Sequence, residues 1–250
     1  MMRNPESGSA AGESLMIAKE SLNGRLVYGV VGTANTGKST FINVLCEATS
    51  KRPPRLRFGT VGKDYRDEIV RRGLAINRNG DERTQTAIFD ILCENTEIAR
   101  GETCTDRILM DRTPLDAYVY TLWHRRYGRG NVSDETLHRM EDLVWRATNR
   151  IDRIFWIPMS MCDGVGVVED GVRDTDANYR RQIDMLFRKT MSSLRIMPNV
   201  TILHGTRDER VRMALEYERI DRMAHESRCI SMQKHEETWT DDELEALHDW

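Results

Sequence analysis

The sequence predicts an α/β fold in which a parallel sheet is flanked by helices. Strand-like and helix-like segments alternate along the chain, and this order is typical of parallel sheets whose strands are joined through helices. The run Gly32–Thr40 also fits the pattern G-x-x-x-x-G-K-[ST], and it lies between an apolar strand and the start of a helix. Together these observations indicate the P-loop NTPase fold.

We expect one main domain with a tail at each end, which divides the chain into 1–21, 22–228 and 229–250. The first segment is rich in Ser, Gly and Glu, and it lacks the basic region and apolar run of a secretory signal. In the last segment, Thr240-Asp241-Asp242-Glu243 has the pattern of a capping box and predicts a short helix. A chain of 250 residues is long enough to bury a substantial core.

The elements of the main domain follow from apolar runs and helix caps. Strands are predicted at about Arg25–Val31, Arg55–Phe58, Arg107–Met110, Arg153–Ile157 and Val200–Leu203. Helices are predicted at Lys38–Glu47, Asp64–Arg72, Glu82–Ile98, from Pro114, from Ser133 to about Asn149, at Asp176–Ser193 and at Arg207–Arg228. Thr113 as cap and Pro114 at the first helical position mark the start of the fourth helix.

Composition limits the classes of partner. The net charge of −3 provides no general basic field for nucleic acid. The longest apolar runs are strand-sized, so we expect no membrane span. The five cysteines include no C-x-x-C pair, which predicts reduced thiols and a cytoplasmic location and argues against a zinc site.

The glycine-rich run carries the clearest chemistry. Its glycines let the backbone close around phosphates, and the N–H groups at the helix start face an anion. Lys38 is predicted to reach the β- and γ-phosphates, and the Ser39 hydroxyl is predicted to hold Mg²⁺. A chance match in an ordinary strand–helix turn is the alternative. We therefore predict that ATP is bound by Gly32, Thr33, Ala34, Asn35, Thr36, Gly37, Lys38, Ser39 and Thr40.

A second signal ends the third predicted strand, where Asp111 and Arg112 follow an apolar run. An acidic residue at a strand end is where P-loop proteins place a further Mg²⁺ contact. Parallel strands bring their carboxyl ends to one edge of the sheet, so Arg112 is expected to face the same crevice. The alternative is that Asp111 caps a helix and Arg112 lies on the surface.

The segment Asp111-Arg112-Thr113-Pro114-Leu115-Asp116 resembles the D/E-R-[ST/Y] segment of thymidylate and deoxynucleoside kinases. It is particularly similar to the AAA-like P-loop kinases that include ribosylnicotinamide kinase domains. The resemblance implies that Asp111 serves Mg²⁺ and that Arg112 lies beside the acceptor oxygen. It also implies that Asp116 contacts the acceptor's base.

The segment Asp170-Gly171-Val172-Arg173-Asp174 resembles the lid of these kinases. The resemblance implies that Arg173 binds ATP and clamps the transferred phosphoryl group, while the glycines allow closure. Arg180 and Arg181 stand at the following helix start. We expect Arg180 to bind substrate, with a solvated helix face as the alternative for one of the two.

Three further assignments rest on the same resemblance. Gly205-Thr206-Arg207 resembles the adenine-contacting loop, where Arg207 either stacks on the base or is simply exposed. Gln85 corresponds to a glutamine that related kinases place against the acceptor base, with a buried amide satisfied by backbone as the alternative. The glutamate that serves related kinases as general base is missing here, and Asp64 is the nearest substitute.

These residues favour an enzyme that transfers the ATP γ-phosphoryl group to a nucleoside, a nucleotide or a related small acceptor. One open alternative is a kinase that phosphorylates a hydroxymethylated base in DNA, and another is a nucleotide-dependent switch without an acceptor. The net charge counts against DNA, although a local basic patch could form from Arg52, Arg55, Arg57, Arg71 and Arg72. A homodimer also stays open at this stage.

Overall fold

The computed structural model describes residues 25–101, 105–128, 132–161 and 175–236, with side chains described as far as residue 231. Residues Arg25–Leu215 form one compact unit. The second unit comprises Met1–Gly24 and Glu216–Trp250, and within it the described residues continue the last helix. The predicted tail helix at Thr240 lies outside the described residues.

A five-stranded parallel sheet forms the centre of the compact unit. The strand order is β2-β3-β1-β4-β5, and all neighbouring strands are parallel. The strands are β1 (Leu26–Val31), β2 (Phe58–Thr60), β3 (Arg107–Asp111), β4 (Arg153–Trp156) and β5 (Val200–Ile202). The predicted α/β class and parallel sheet are therefore confirmed.

Seven α-helices lie in the described part of the chain. They are α1 (Lys38–Thr49), α2 (Tyr65–Arg71), α3 (Glu82–Gly101), α4 (Pro114–Tyr127), α5 (Asp134–Asn149), α6 (Ala177–Ser193) and α7 (Arg207–Glu236). The last helix continues beyond the predicted end at Arg228. Within the described ranges, no helix has the length and apolar character needed to cross a membrane.

Burial on both faces of the sheet explains why its central strands read as unbroken apolar runs. Every residue of β1 is buried. Alternate residues point to opposite faces: Val27 and Val31 join one large apolar cluster. On the other face, Tyr28 stacks on Phe155 at 5.4 Å, and Phe155 meets Phe41 of α1 edge-on at 6.0 Å.

Local cap signals fix several helix starts. Thr113 caps α4 in a capping box with Asp116, and Pro114 occupies the first helical position, as predicted. The Ser133 side chain likewise accepts from the Thr136 N–H at the start of α5. The cap at Thr113 begins α4 only two residues after β3 ends at Asp111.

The prediction for the second strand was wrong in its position. The predicted segment Arg55–Phe58 is largely a 3₁₀ turn over Pro54–Leu56, and the strand itself is Phe58–Thr60. Proline cannot donate to a strand ladder and favours the first turn of a helix. Pairing of this strand with β3 begins only at Phe58, opposite Arg107.

The strand order places a crevice next to β1, because successive strands are added on one side of β1 first and on its other side later. β1 lies between β3 and β4, so the loops that follow β1 and β3 emerge side by side at the carboxyl edge. Open parallel sheets bind ligands at such a point. The glycine-rich loop after β1 and the Asp111 segment after β3 meet there.

Candidate functional site

The P-loop follows β1 directly and ends in the first turn of α1. Gly32 has a φ of +140°, and a Cβ atom there would lie 2.6 Å from the carbonyl oxygen of Ile157. Gly37 precedes α1 in the left-handed region, at a φ of 82°. Both positions therefore require glycine, and they turn the loop onto the N-terminus of α1, where backbone N–H groups favour an anion.

Lys38 folds back over this loop. Its ammonium group donates to the carbonyl oxygens of Gly32, at 2.8 Å, and Thr33, at 2.6 Å. Burial, and after it the neighbouring charge of Arg112, lower the pKa of Lys38 to about 7, although the negative charges of Asp116 and Asp111 oppose the shift. The cation is thus held at the centre of the loop, as a phosphate ligand would need it.

Ser39 and Asp111, the two predicted Mg²⁺ ligands, lie together. The Ser39 hydroxyl donates to a carboxylate oxygen of Asp111 at 3.0 Å. Hydroxyl and carboxylate oxygens are hard ligands of the kind Mg²⁺ prefers, and Mg²⁺ in phosphotransferases takes one or two protein ligands with phosphates and water. The two side chains therefore fit the predicted metal.

Arg112 occupies a strained backbone position between the P-loop and α4. Its φ is +78°, although it is not glycine, and non-glycine residues in this region often mark functional sites. Its side chain is buried and forms an ion pair with Asp116 at 3.1 Å. The guanidinium carbon also lies 5.3 Å from the ring centre of Tyr120 and 5.9 Å from that of Tyr65.

Asp116 has a local role that the sequence reading did not assign. It is 1% exposed, and it accepts hydrogen bonds from the Thr113 N–H at 3.0 Å and the Thr113 hydroxyl at 3.4 Å. Its other oxygen accepts from Arg112. Asp116 thus caps α4 and fixes Arg112, and the predicted contact with an acceptor base stays a prediction.

A narrow pocket of about 30 Å³ runs from Arg112 towards α3. Gln85 is buried in its wall, and the Gln85 Oε1 atom has no hydrogen-bond partner among the described residues. The Tyr120 hydroxyl and the Arg112 Nε atom are also buried, and neither has a hydrogen-bond partner in the part of the chain that the structure describes. Buried polar atoms normally find partners, so this wall offers hydrogen bonds to a polar ligand, and the contact of Gln85 with an acceptor base stays a prediction.

A larger cavity of about 270 Å³ lies beside this pocket, and Arg112 and Tyr65 border both. Ser39, Asp64 and Asp111 also line the larger cavity. The Asp64 side chain accepts from the Arg66 N–H at 2.8 Å and caps α2. The structure therefore brings Asp64 to the same cavity as Ser39 and Asp111, and its assignment as general base stays a prediction.

Arg180 lies on the P-loop rather than among the residues that line the narrow pocket. It donates to the carbonyl oxygens of Ala34 at 3.0 Å and Asn35 at 3.2 Å. Arg210, which the sequence reading missed, donates to the carbonyl oxygens of Thr36 at 3.2 Å and Met161 at 3.0 Å. Arg173 and the rest of the predicted lid motif lie outside the described residues.

The predicted adenine-side loop precedes α7. Gly205 has a φ of +76°, and the Glu209 carboxylate accepts from the Thr206 N–H at 2.7 Å and its hydroxyl at 2.8 Å. Thr206 thus begins α7 in a capping box. The Arg207 side chain is exposed and contacts Asp208, so its predicted contact with adenine stays a prediction.

The family model described as an AAA domain matches residues 28–210, which include the P-loop, Asp111, Arg112 and Arg210. The chain belongs to this family. No curated protein matches it. The solved structures similar to this AAA-domain protein include NadR in complex with NR, with a TM-score of 0.58, 16% identity and 87% of this chain covered. The match spans only 61% of the NadR chain.

Two other similar structures are shorter kinases. Thymidylate kinase from Candida albicans has a TM-score of 0.55 at 13% identity, covering 79% of this chain and 94% of its own. Deoxyadenosine kinase from M. mycoides with bound dATP has a TM-score of 0.50 at 12% identity, covering 77% and 98%. At these identities the similarity establishes the fold alone, which is that of P-loop NTPases.

Proposed function

We propose that this AAA-domain protein is a phosphotransferase that uses ATP and Mg²⁺ to phosphorylate a small nucleoside-like or nucleotide-like acceptor. One observation carries the proposal: Lys38, Ser39, Asp111 and Arg112 converge at the carboxyl ends of β1 and β3, at the mouth of the pocket that contains Gln85. A nucleotide switch has no need of a second polar pocket next to its phosphates.

On the nucleotide side, the P-loop N–H groups would bind the phosphates and the Lys38 ammonium would bind the β- and γ-phosphates. Mg²⁺, held through Ser39 and Asp111, would neutralise charge on the phosphate oxygens. Because Lys38 is buried, its contact with the transferring group gains strength as water is excluded. This arrangement stabilises charge that develops during transfer.

On the acceptor side, Gln85 and Tyr120 would hold the acceptor while Arg112 lies next to its hydroxyl oxygen. That oxygen attacks the γ-phosphorus, an O–P bond forms, and the bond between the γ-phosphorus and the bridging oxygen breaks to release ADP. The hydroxyl proton passes to a base, for which Asp64 is our candidate because it lines the adjoining cavity. The neighbouring NadR and thymidylate kinase structures support acceptors of the nucleoside and nucleotide class.

The test is ATP consumption and labelled product formation with γ-labelled ATP and a panel of acceptors. The panel contains nucleosides, nucleoside monophosphates, NR and hydroxymethylated DNA. We expect a small-molecule acceptor to stimulate ATP consumption and to carry the label. If only the DNA stimulates ATP consumption, a base in DNA would be the acceptor instead of a small molecule. If no member of the panel stimulates ATP consumption, the result would favour the nucleotide-dependent switch.

Two variants sharpen the test. The first, Arg112→Lys, keeps a cation beside Asp116 but loses the planar guanidinium group with its several hydrogen-bond donors. It should lower acceptor-dependent turnover and leave slow ATP hydrolysis in place, because water can still attack. Arg173→Ala should mainly lower turnover, because the proposed contact tightens in the transition state. Arg181→Lys, on an exposed position of α6, is the matched control.

A further inference from the structure

The P-loop backbone is held by cations from three separate parts of the chain. Five consecutive carbonyl oxygens, from Gly32 to Thr36, each accept a hydrogen bond from a cationic side chain. Lys38 contacts the first two, Arg180 contacts those of Ala34 and Asn35, and Arg210 contacts that of Thr36. Arg180 is 5% exposed and Arg210 is 3% exposed, so solvent screens these contacts little.

Peptide geometry converts these contacts into an orientation. In a planar trans peptide, the C=O group of one residue and the N–H group of the next point in opposite directions, and the described residues contain no cis peptide bond. Carbonyls turned towards Arg180 and Arg210 therefore turn the N–H groups of Asn35, Thr36 and Gly37 the other way. Gly37, the last of these three residues, is directly followed by Lys38 and the N-terminus of α1.

We propose that Arg180 and Arg210 are positioning residues that aim the N–H groups of Asn35, Thr36 and Gly37 at the nucleotide phosphates. This inference rests on the proposed function. The two guanidinium groups act from behind the loop and contact its backbone, whereas the binding groups are the N–H donors on its front. Arg180 spans two carbonyls with its Nε and Nη2 atoms, a fork that a single ammonium group cannot reproduce.

The two arginines also tie the P-loop to distant elements. Arg210 lies on α7 and bonds Met161 as well as Thr36, so it joins the loop to the segment after β4. Arg180 lies in the first turns of α6, and its neighbour Tyr179 is bonded to the cap residue Asp176. The loop is thus set by α6 and α7 in addition to its own sequence.

The test compares Arg180→Lys and Arg210→Lys with the exposed controls Arg181→Lys and Arg212→Lys. Binding of three probes is measured by calorimetry or competition: ADP, tripolyphosphate and adenosine. We expect each buried-site variant to bind ADP and tripolyphosphate on the order of tenfold more weakly, consistent with one charge-assisted hydrogen bond, and to bind adenosine within about twofold of wild type. The controls should match wild type for all three probes.

A loss of affinity only for the probes that carry phosphates distinguishes positioning of the P-loop N–H groups from a general structural role. A variant that loses the same factor for all three probes, or that binds ADP as well as wild type does, would overturn the inference. A wild-type protein that binds neither ADP nor tripolyphosphate would overturn the proposed function as well. Thermal unfolding of each variant without nucleotide identifies those that are simply unstable.

A measurement on the wild-type protein keeps the inference testable if both variants unfold. In an amide NMR titration with ADP, the N–H resonances of Asn35, Thr36 and Gly37 should show large downfield shifts, because hydrogen bonds to phosphate deshield the proton. Shifts confined to other amides would mean that these three groups do not face the phosphates.

Discussion

Replacing Asp116 with alanine removes two supports at once. The Asp116 carboxylate is the ion-pair partner of buried Arg112 and the acceptor for Thr113 at the start of α4. In Asp116→Ala, the Arg112 guanidinium stays buried without its counter-charge. We therefore expect a large loss of stability from a residue for which the family resemblance implies only a contact with the acceptor's base.

The magnitude follows from the burial of the pair. The two side chains are 7% and 1% exposed, and breaking a buried pair by removing one partner costs about 3–5 kcal/mol. The lost cap contact adds roughly 1 kcal/mol. We therefore expect a total of about 4–6 kcal/mol, which corresponds to a fall in Tm of roughly 8–24 °C for a domain of this size.

Urea denaturation followed by far-UV circular dichroism measures this change in the free energy of unfolding. Asp90→Ala is the matched control, because Asp90 pairs with Arg139 at 3.5 Å while the two side chains are 58% and 47% exposed. An exposed pair contributes about 0–1 kcal/mol. A loss below about 1 kcal/mol in Asp116→Ala would refute the reasoning from burial.

A double variant separates charge from packing. Arg112→Met combined with Asp116→Leu replaces the buried pair with apolar side chains, which is often neutral or stabilising. We expect it to recover most of the lost stability and to remain inactive, because Arg112 is absent. Recovery of activity would contradict the role proposed for Arg112.

Two further predictions concern the phosphate side of the site. Asp111→Asn should raise the Mg²⁺ concentration needed for half-maximal activity on the order of tenfold, because the carboxylate beside Ser39 loses its charge. The ATP concentration needed for half-maximal activity should rise less. An unchanged Mg²⁺ titration would make Asp111 a structural residue. Burial lowers the pKa of Lys38 to about 7 from 10.5, so between these values the folded protein binds fewer protons than the unfolded chain and this group makes stability rise with pH. A bound phosphate chain favours the charged ammonium, so ATP binding at about pH 8 should take up protons, which calorimetry in two buffers of different ionisation enthalpy detects. Lys38→Met should abolish the uptake, and buffer-independent heats in the wild type would contradict the assignment.

The sequence predicted those parts of the site that are specified by short patterns of neighbouring residues. The P-loop pattern fixes a turn, a helix start and the lysine within a few residues. Thr113 and Pro114 specify the start of α4 in the same local way. The Ser39–Asp111 contact was also predictable, because both residues follow parallel strands and such strand ends share one edge of the sheet.

The parts that escaped prediction depend on residues far apart in the chain. Arg180 and Arg210 contact P-loop carbonyls 146 and 174 residues away, and an arginine in a helix carries no local sign of such a contact. The position of β2 likewise depends on where it pairs with β3. The left-handed backbone of Arg112 could not be read from its residue type, because arginine rarely adopts it.

The short outer strands of the sheet affect the tendency of the protein to aggregate through its sheet edges. β2 and β5 form the two edges of the sheet, and each has only three residues. Proline, which cannot donate to a ladder, lies just before both, at Pro54 and Pro198. Each edge therefore offers another chain very few free backbone groups, which limits edge-to-edge polymerisation. In the described part of the chain, growth by addition of strands to the folded sheet is therefore disfavoured.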